Sequence, residues 1–381
     1  MTQRRSAVIA GGGTAGHAFV ALAVARALVE RGVAAEEIQL IGSARGLDRT
    51  LLGRERYALT LLAGRGVLRR LNARAVAANL AALGGLAWAG VRALLLLAHR
   101  RPRVVVSVGG YASVPVGLAA VALRIPLVLV NIDAVPGAAH RLLGRFAAAS
   151  AVAFEGTNLP RSKVTGAPVR PDLRGVERSP EGMADACRTL HIPADRRVVG
   201  VVGGSLGAGR LNEATLSMAG LERDRADLAI DHVAGARNLE QVRAARDDAG
   251  LAPNGDVRGL SYRLVGFEED MASFYESADL VVCRSGALTV AEVALAGVPA
   301  ILVPLPGAPG DHQSANAAAL VDAGAALMLR DEDCDGARLA ALVDGLLADP
   351  ARLAAMGIAA SALGRPDAAD AVAALVLAHA R

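Results

Sequence analysis

The sequence predicts an α/β chain made of two Rossmann-like, doubly wound domains, and three observations predict it. Short apolar runs alternate with helical periodicity along the whole chain, as parallel sheets covered by helices require. A strand, glycine loop and helix open the chain with GGGTAG at 11–16, and the same opening returns with GGSLGAGRLN at 203–212. A length of 381 residues then suits two domains of ordinary size, each able to bury its own core.

Taken in order, residues 7–10, 38–41, 104–108 and 127–130 read as strands, with helices after the first, third and fourth. The run 75–98 approaches a membrane span in length. It is mostly alanine, carries Gly84, Gly85 and Arg92, and reads as two soluble helices. Strands recur at 198–202, 262–265, 280–283, 300–303 and 326–329. The first domain is expected to cover 1–165 and the second 166–366, with the apolar helix of 367–381 packing back on the first. Each domain offers a crevice at the carboxyl ends of its strands, so one cleft shared by the two is expected.

Composition narrows the class further. Hydrophobic residues make up 53% and aromatics 3%, which describes a folded core of Ala, Val and Leu rather than a disordered chain. Lysine and arginine total 41 against 37 acids, yet Lys163 is the only lysine, so the positive charge is carried by guanidinium forks suited to phosphate or carboxylate. Cys187, Cys283 and Cys334 are widely spaced and read as packing residues in a reducing compartment. The stretch after Arg4 and Arg5 is too short and glycine-rich for a signal peptide. From Arg56 to Ile132 there is no acid, and Arg65, Arg69, Arg70 and Arg74 interleave with Val67, Leu68, Leu71 and Val76. Two readings of that stretch stand: an amphipathic surface for anionic lipid, and an ordinary solvated helix.

GGGTAG satisfies the dinucleotide fingerprint, so a nicotinamide-dependent oxidoreductase must be weighed first. That reading needs an acid at the end of the second strand for the ribose, and Glu36 and Glu37 precede that strand instead. What remains is the physics of a helix start, where backbone N–H groups and the dipole favour phosphate oxygens. Thr14 adds a hydroxyl, and His17 in the first turn is disposed to stay neutral and act as a base. The second loop, with Gly203, Gly204 and Ser205, offers the same chemistry. The richest stretch is 281–326, where Thr289 and Glu292 share a helix face. Two readings stay open for Glu292: a carboxylate for ribose hydroxyls, and half of a capping box.

Five motifs in this order, GGGTAGH, SVGGYASVPVGLAA, GGSLGA, RSGALTVAE and DHQSANA, resemble the MurG family of N-acetylglucosaminyltransferases over almost the entire chain. The resemblance implies a GT-B architecture and inverting transfer of GlcNAc from UDP-GlcNAc to the muramyl 4-hydroxyl of lipid I, an undecaprenyl diphosphate lipid. It implies His17 as the catalytic base. It places Thr14, Ala15, Gly16, Asp133, Arg170, Ser205, Glu268, Arg284, Ala287, Leu288, Thr289, Val290, Ala291, Glu292, His312 and Gln313 at the donor, with Glu268 meeting uracil through its backbone. Gly109, Gly110 and Tyr111 fall to the acceptor, and Arg69, Arg70, Leu71 and Arg74 to a peripheral site on the cytoplasmic face of an anionic membrane. No metal, cofactor or nucleic acid is expected. The chain departs from the family in Asn131, Ile132 and Asp133, where a Glu-Gln-Asn segment is usual, in Leu206, where glutamine is frequent, and in lacking the proline common after the glycine-His motif. The first departure motivates an alternative, a related enzyme with another lipid or small-molecule acceptor.

Overall fold

The computed structural model describes residues 6–44, 48–53, 55–62, 73–204, 207–251 and 259–381, with the side chains of 73–83 left aside. Two compact units emerge, 1–170 with 367–381, and 171–366.

The strands of the first unit are β1 (Ala7–Gly12), β2 (Ile38–Ser43), β3 (Ala58–Leu62), β4 (Val104–Gly110), β5 (Leu127–Asn131), β6 (Ala149–Val152) and β7 (Ser162–Val164). Its helices up to that point are α1 (Ala15–Glu30), α2 (Asp48–Leu52), α3 (Ala73–Arg100), α4 (Ser113–Ala122) and α5 (Ala138–Leu143). The sheet is parallel in the order β3-β2-β1-β4-β5-β6-β7, so strand order reverses between β1 and β4. That reversal opens the crevice in which open α/β sheets bind ligands. Val8, Val105, Leu127 and Leu129 are buried by the sheet and meet Ala93, Leu97, Val116 and Leu143 of the helices.

The two helices expected over 75–98 are one, α3. Glycine in a helix interior costs about 1 kcal/mol but forbids nothing, and neither Gly84 nor Gly85 is followed by a cap or a proline. Ala89, Ala93 and Leu97, four residues apart, are the buried stripe against α4. Among the described residues no single helix is long and apolar enough to cross a membrane.

The second unit holds β8 (Arg197–Val202), β9 (Leu228–Val233), β10 (Ser261–Val265), β11 (Leu280–Cys283), β12 (Ala300–Leu302) and β13 (Ala326–Met328). Around them lie α6 (Pro180–Thr189), α7 (Gly209–Leu221), α8 (Leu239–Asp248), α9 (Met271–Ser277), α10 (Ala287–Ala296), α11 (His312–Asp322), α12 (Gly336–Leu347) and α13 (Pro350–Leu363). The order β10-β9-β8-β11-β12-β13 is again parallel and reverses between β8 and β11. Its core joins Val199, Val201, Val282 and Ile301 to Leu211, Met218, Leu339 and Val343.

The final helix, α14 (Ala368–His379), lies against α1 and β4, with Val372, Ala373 and Val376 wholly buried. The Arg31 fork closes on Asp370 at 2.6 Å for both bonds. The chain leaves the first unit after Arg170 rather than at 165, because the Thr165 N–H still donates to Val152 O at the end of β6.

Each unit buries a neutral histidine. His140 Nδ1–H donates to Asn131 Oδ1 (3.1 Å) and its Nε2 accepts from Ser107 (3.2 Å), and burial pushes its pKa down to about 4. His232 lies between Tyr262 and Asn212, and burial pushes its pKa down to about 3. A folded pKa below the unfolded 6.5 means that the unfolded chain binds more protons, so this stability is complete above pH 6.5 and drains away below it. The stability gap between the wild-type chain and His140→Gln is therefore expected to shrink by about 2 kcal/mol from pH 7 to pH 5. Urea midpoints at the two pH values measure it, and a constant gap would contradict the neutral assignment.

Candidate active site

At the switch point of the first unit, β1 runs into its glycine loop and Thr14 caps α1, its Oγ1 accepting from the His17 N–H. Ala15 is buried and Gly16 half-buried in the first turn. His17 Nδ1 lies 2.8 Å from the same Thr14 oxygen, which fixes the ring plane. The other edge of the ring lies over Gly109: a Cβ there would sit 3.0 Å from His17 Nε2 and 3.4 Å from His140 Cε1. Only glycine tolerates both that approach and a φ of +97°. Gly110, at φ +79°, lies so close to Gly12 that a Cβ would overlap its carbonyl. The N–H and carbonyl line of SVGGY is thus pressed directly against GGGTAG. Tyr111 follows, its hydroxyl raised by burial. Burial lowers the His17 pKa, while the carboxylates of Asp133 and Asp48 oppose that shift.

Asp48 is the residue the sequence reading missed. It is wholly buried, and its carboxylate accepts from Ser43 N (2.7 Å) and Gly13 N (3.0 Å). The acid sought at the end of the second strand is therefore present, but it turns back into the glycine loop. The expectation that this loop gives its N–H groups to a diphosphate fails at Gly13, whose N–H is already bound to an anion of the chain itself.

The altered segment 131–133 divides in the same way. Asn131 and Ile132 are buried, with Asn131 Oδ1 on His140 and Nδ2 donating to Asp133 O at 2.6 Å. These two substitutions serve packing. Asp133 alone reaches the half-exposed surface, where its charge acts on His17, so it stands with the base in the first unit. Arg170 also lies in the first unit, its guanidinium 5.9 Å from the Phe19 ring centroid.

In the second unit β11 ends at Cys283, and the turn 284–286 leads into α10. Gly286 is the N-cap and makes no side-chain cap bond, which removes the capping-box reading of Glu292. Glu292 Oε2 instead accepts from the Tyr275 hydroxyl at 2.9 Å. Ser285 is wholly buried, and its hydroxyl finds no partner among the described residues, while its carbonyl accepts from Asn316 of α11. An orphan hydroxyl beside the first N–H groups of a helix suits an incoming phosphate oxygen. Ala287, Leu288, Thr289, Val290 and Ala291 form the first turns of α10. Val290 is buried in the core and its N–H donates to Gly286 O at 3.0 Å, so the donor role expected of it is not supported by its side chain or its amide.

Three residues expected at the donor also carry structural bonds. Arg284 is buried and braces the ends of the neighbouring strands through Val303 O and Pro304 O (3.1 Å each) and Asp331 (2.6 Å). Gln313 Oε1 accepts from Leu305 N at 2.9 Å, and His312 Nδ1 donates to Pro309 O at 3.0 Å, so both hold the loop before α11. The Glu268 carboxylate is tied to Arg263 (2.7 Å) and to Asp270 N (2.9 Å). Arg263 also pairs with buried Asp231 at 2.7 Å, whose pKa burial pushes up to about 6. With its side chain held, Glu268 has its backbone to present, as the resemblance implies. Ser205, Arg69, Arg70 and Leu71 lie outside the described residues, as does the Arg74 side chain.

The family model described as "Glycosyltransferase family 28 N-terminal domain" matches residues 7–152, and "Glycosyltransferase family 28 C-terminal domain" matches 198–372. A relative from Alkalilimnicola ehrlichii, named UDP-N-acetylglucosamine–N-acetylmuramyl-(pentapeptide) pyrophosphoryl-undecaprenol N-acetylglucosamine transferase, is 42% identical over 98% of this chain and 99% of its own. A relative of the same name from Myxococcus xanthus is 38% identical over 95% and 90%. The crystal structure of Acinetobacter baumannii MurG superposes with a TM-score of 0.76 at 30% identity, covering 98% of this chain and 99% of that one.

The chain belongs to the MurG family of family 28 glycosyltransferases.

The MurG family thus supplies a frame for the geometry. A UDP-GlcNAc 2-epimerase from Neisseria meningitidis, solved with UDP-GlcNAc, shares the fold at a TM-score of 0.62 and 14% identity.

Proposed function

We infer that this chain transfers GlcNAc from UDP-GlcNAc to the muramyl 4-hydroxyl of undecaprenyl-diphospho-MurNAc-pentapeptide, with inversion. The observation that carries the inference is 38–42% identity, over nearly the full length, to enzymes named for this GlcNAc transfer, and inversion and the 4-hydroxyl follow the family resemblance. In the base-competent tautomer His17 Nδ1–H donates to Thr14 Oγ1, and Nε2 takes the proton of the acceptor hydroxyl. The hydroxyl oxygen forms the new bond to the anomeric carbon, and the bond to the diphosphate breaks, its electron pair leaving with UDP. The N–H groups at the start of α10 and the Ser285 hydroxyl stabilise that leaving charge. Glu292 accepts the ribose hydroxyls, and the backbone at Glu268 meets the base.

The full chain, given UDP-GlcNAc and a short-chain lipid I analogue, is expected to form a single β-linked disaccharide with one UDP released per transfer. Donor binding without transfer to that analogue would overturn the acceptor assignment.

The membrane part of the reading gains support from α3. Opposite its buried stripe, Trp88 is 62% and Leu95 65% exposed, with Val91 and Leu94 also exposed. A helix apolar on both sides needs a second apolar neighbour, and an interfacial lipid layer supplies one. Replacing Trp88 and Leu95 by glutamate is expected to lower sedimentation with anionic phospholipid vesicles at least fivefold while leaving turnover of a short soluble acceptor unchanged. Equal vesicle association would remove α3 from the membrane contact.

A further inference from the structure

We propose that Tyr275 is a positioning residue for the donor ribose, its hydroxyl holding the Glu292 carboxylate in the orientation that accepts the two ribose hydroxyls. The inference rests on the reading of Glu292 as the ribose acceptor. A glutamate at the half-exposed surface of a helix ordinarily samples several rotamers, and a ligand that needs one of them must order the side chain as it binds. Here that ordering is built in. Tyr275 is wholly buried in α9, and its ring is fixed edge-on to Phe274, with centroids 5.3 Å apart at 80°. A rigid phenol therefore presents its O–H at one place, and Glu292 Oε2 accepts it at 2.9 Å. The acceptor is charged, so the bond is of the stronger kind.

α9 itself is anchored at the point that matters. Asp270 caps its start, with Oδ1 accepting from Ser273 N at 3.0 Å and Oδ2 from the Ser273 hydroxyl at 2.6 Å. The Asp270 N–H in turn donates to Glu268, which Arg263 holds. Hydrogen bonds thus tie the start of α9 to the segment read as the uracil contact, and Tyr275, farther along the same short helix, reaches the carboxylate read as the ribose contact. A carboxylate has about four lone-pair directions, and a tyrosine that occupies one orients the rest. Vicinal hydroxyls then meet a preset pair of oxygens, so the phenol contributes selection for a ribose over a 2′-deoxyribose.

Calorimetric titration of the full chain with UDP and with 2′-deoxy-UDP tests this. The wild-type chain is expected to prefer UDP by about tenfold or more, the equivalent of one good hydrogen bond. Tyr275→Phe is expected to weaken UDP binding by about the same factor while hardly changing the affinity for 2′-deoxy-UDP, so that the preference collapses. Glu292→Gln should collapse it as well. Tyr275→Phe with its preference intact overturns the inference, and so does an equal loss of affinity for both nucleotides, which would mark a purely structural tyrosine. If Glu292→Gln leaves UDP affinity at the wild-type value, the ribose reading of Glu292 falls and the inference falls with it. If Glu292→Gln weakens UDP but Tyr275→Phe does not, only the inference falls.

Discussion

Replacing His17 by alanine is expected to lower kcat by about 10²–10⁴-fold, the usual contribution of a positioned general base, while the Kd for UDP-GlcNAc changes little. The expectation comes from local geometry. Thr14 fixes one ring nitrogen at 2.8 Å, and Gly109 leaves the space in which the other edge lies. Burial lowers the pKa below the usual imidazole value, so the ring is ready to accept a proton at neutral pH. Asp133 and Asp48 are the counter-charges that stabilise the imidazolium once the proton has arrived. Steady-state turnover with saturating donor, paired with calorimetric donor binding, measures both halves. A kcat within tenfold of wild type would show that another group removes the proton. The profile of kcat/KM should reach its plateau at a lower pH than free imidazole would allow.

Glu292→Ala is expected to weaken UDP-GlcNAc binding by about 2–3 kcal/mol, or roughly 30- to 150-fold in Kd. Two losses combine in that figure. The ribose hydroxyls lose a charged acceptor, and the buried Tyr275 hydroxyl loses the oxygen it now meets at 2.9 Å. The second loss also lowers the stability of the unliganded chain, so thermal unfolding should fall by a few degrees in the absence of nucleotide. Donor affinity within twofold of wild type would remove Glu292 from the donor site.

Strands were legible in sequence at β1, β4, β8 and β11, where buried parallel strands read as apolar runs with no polar face to alternate, while β3, ALTLL, was missed. β9 was not legible either, since Asp231 and His232 interrupt LAIDHV and only the fold supplies the Arg263, Tyr262 and Asn212 that neutralise them. β7 escaped because it is an exposed three-residue edge, and β6 because Ala-Ser-Ala-Val has no strand signature. The glycine loops and the helix starts that follow them could be read because helix-start structure depends on neighbours in sequence. Asp48, Tyr275 and Arg284 could not. Asp48 reaches back to a loop 35 positions away, Tyr275 reaches forward across 17, and the partners of Arg284 lie just past the ends of β12 and β13. Charge at a strand end looked like ligand chemistry in Arg284, and nothing local distinguishes a brace from a binding residue.

The carboxylate of Asp48 seated on Gly13 has a consequence for inhibitor design. A pyrophosphate mimic aimed at GGGTAG would have to expel a resident negative charge before gaining the amide it covets, and would be repelled on approach. Scaffolds that are neutral or cationic where they meet that turn should be tolerated better there.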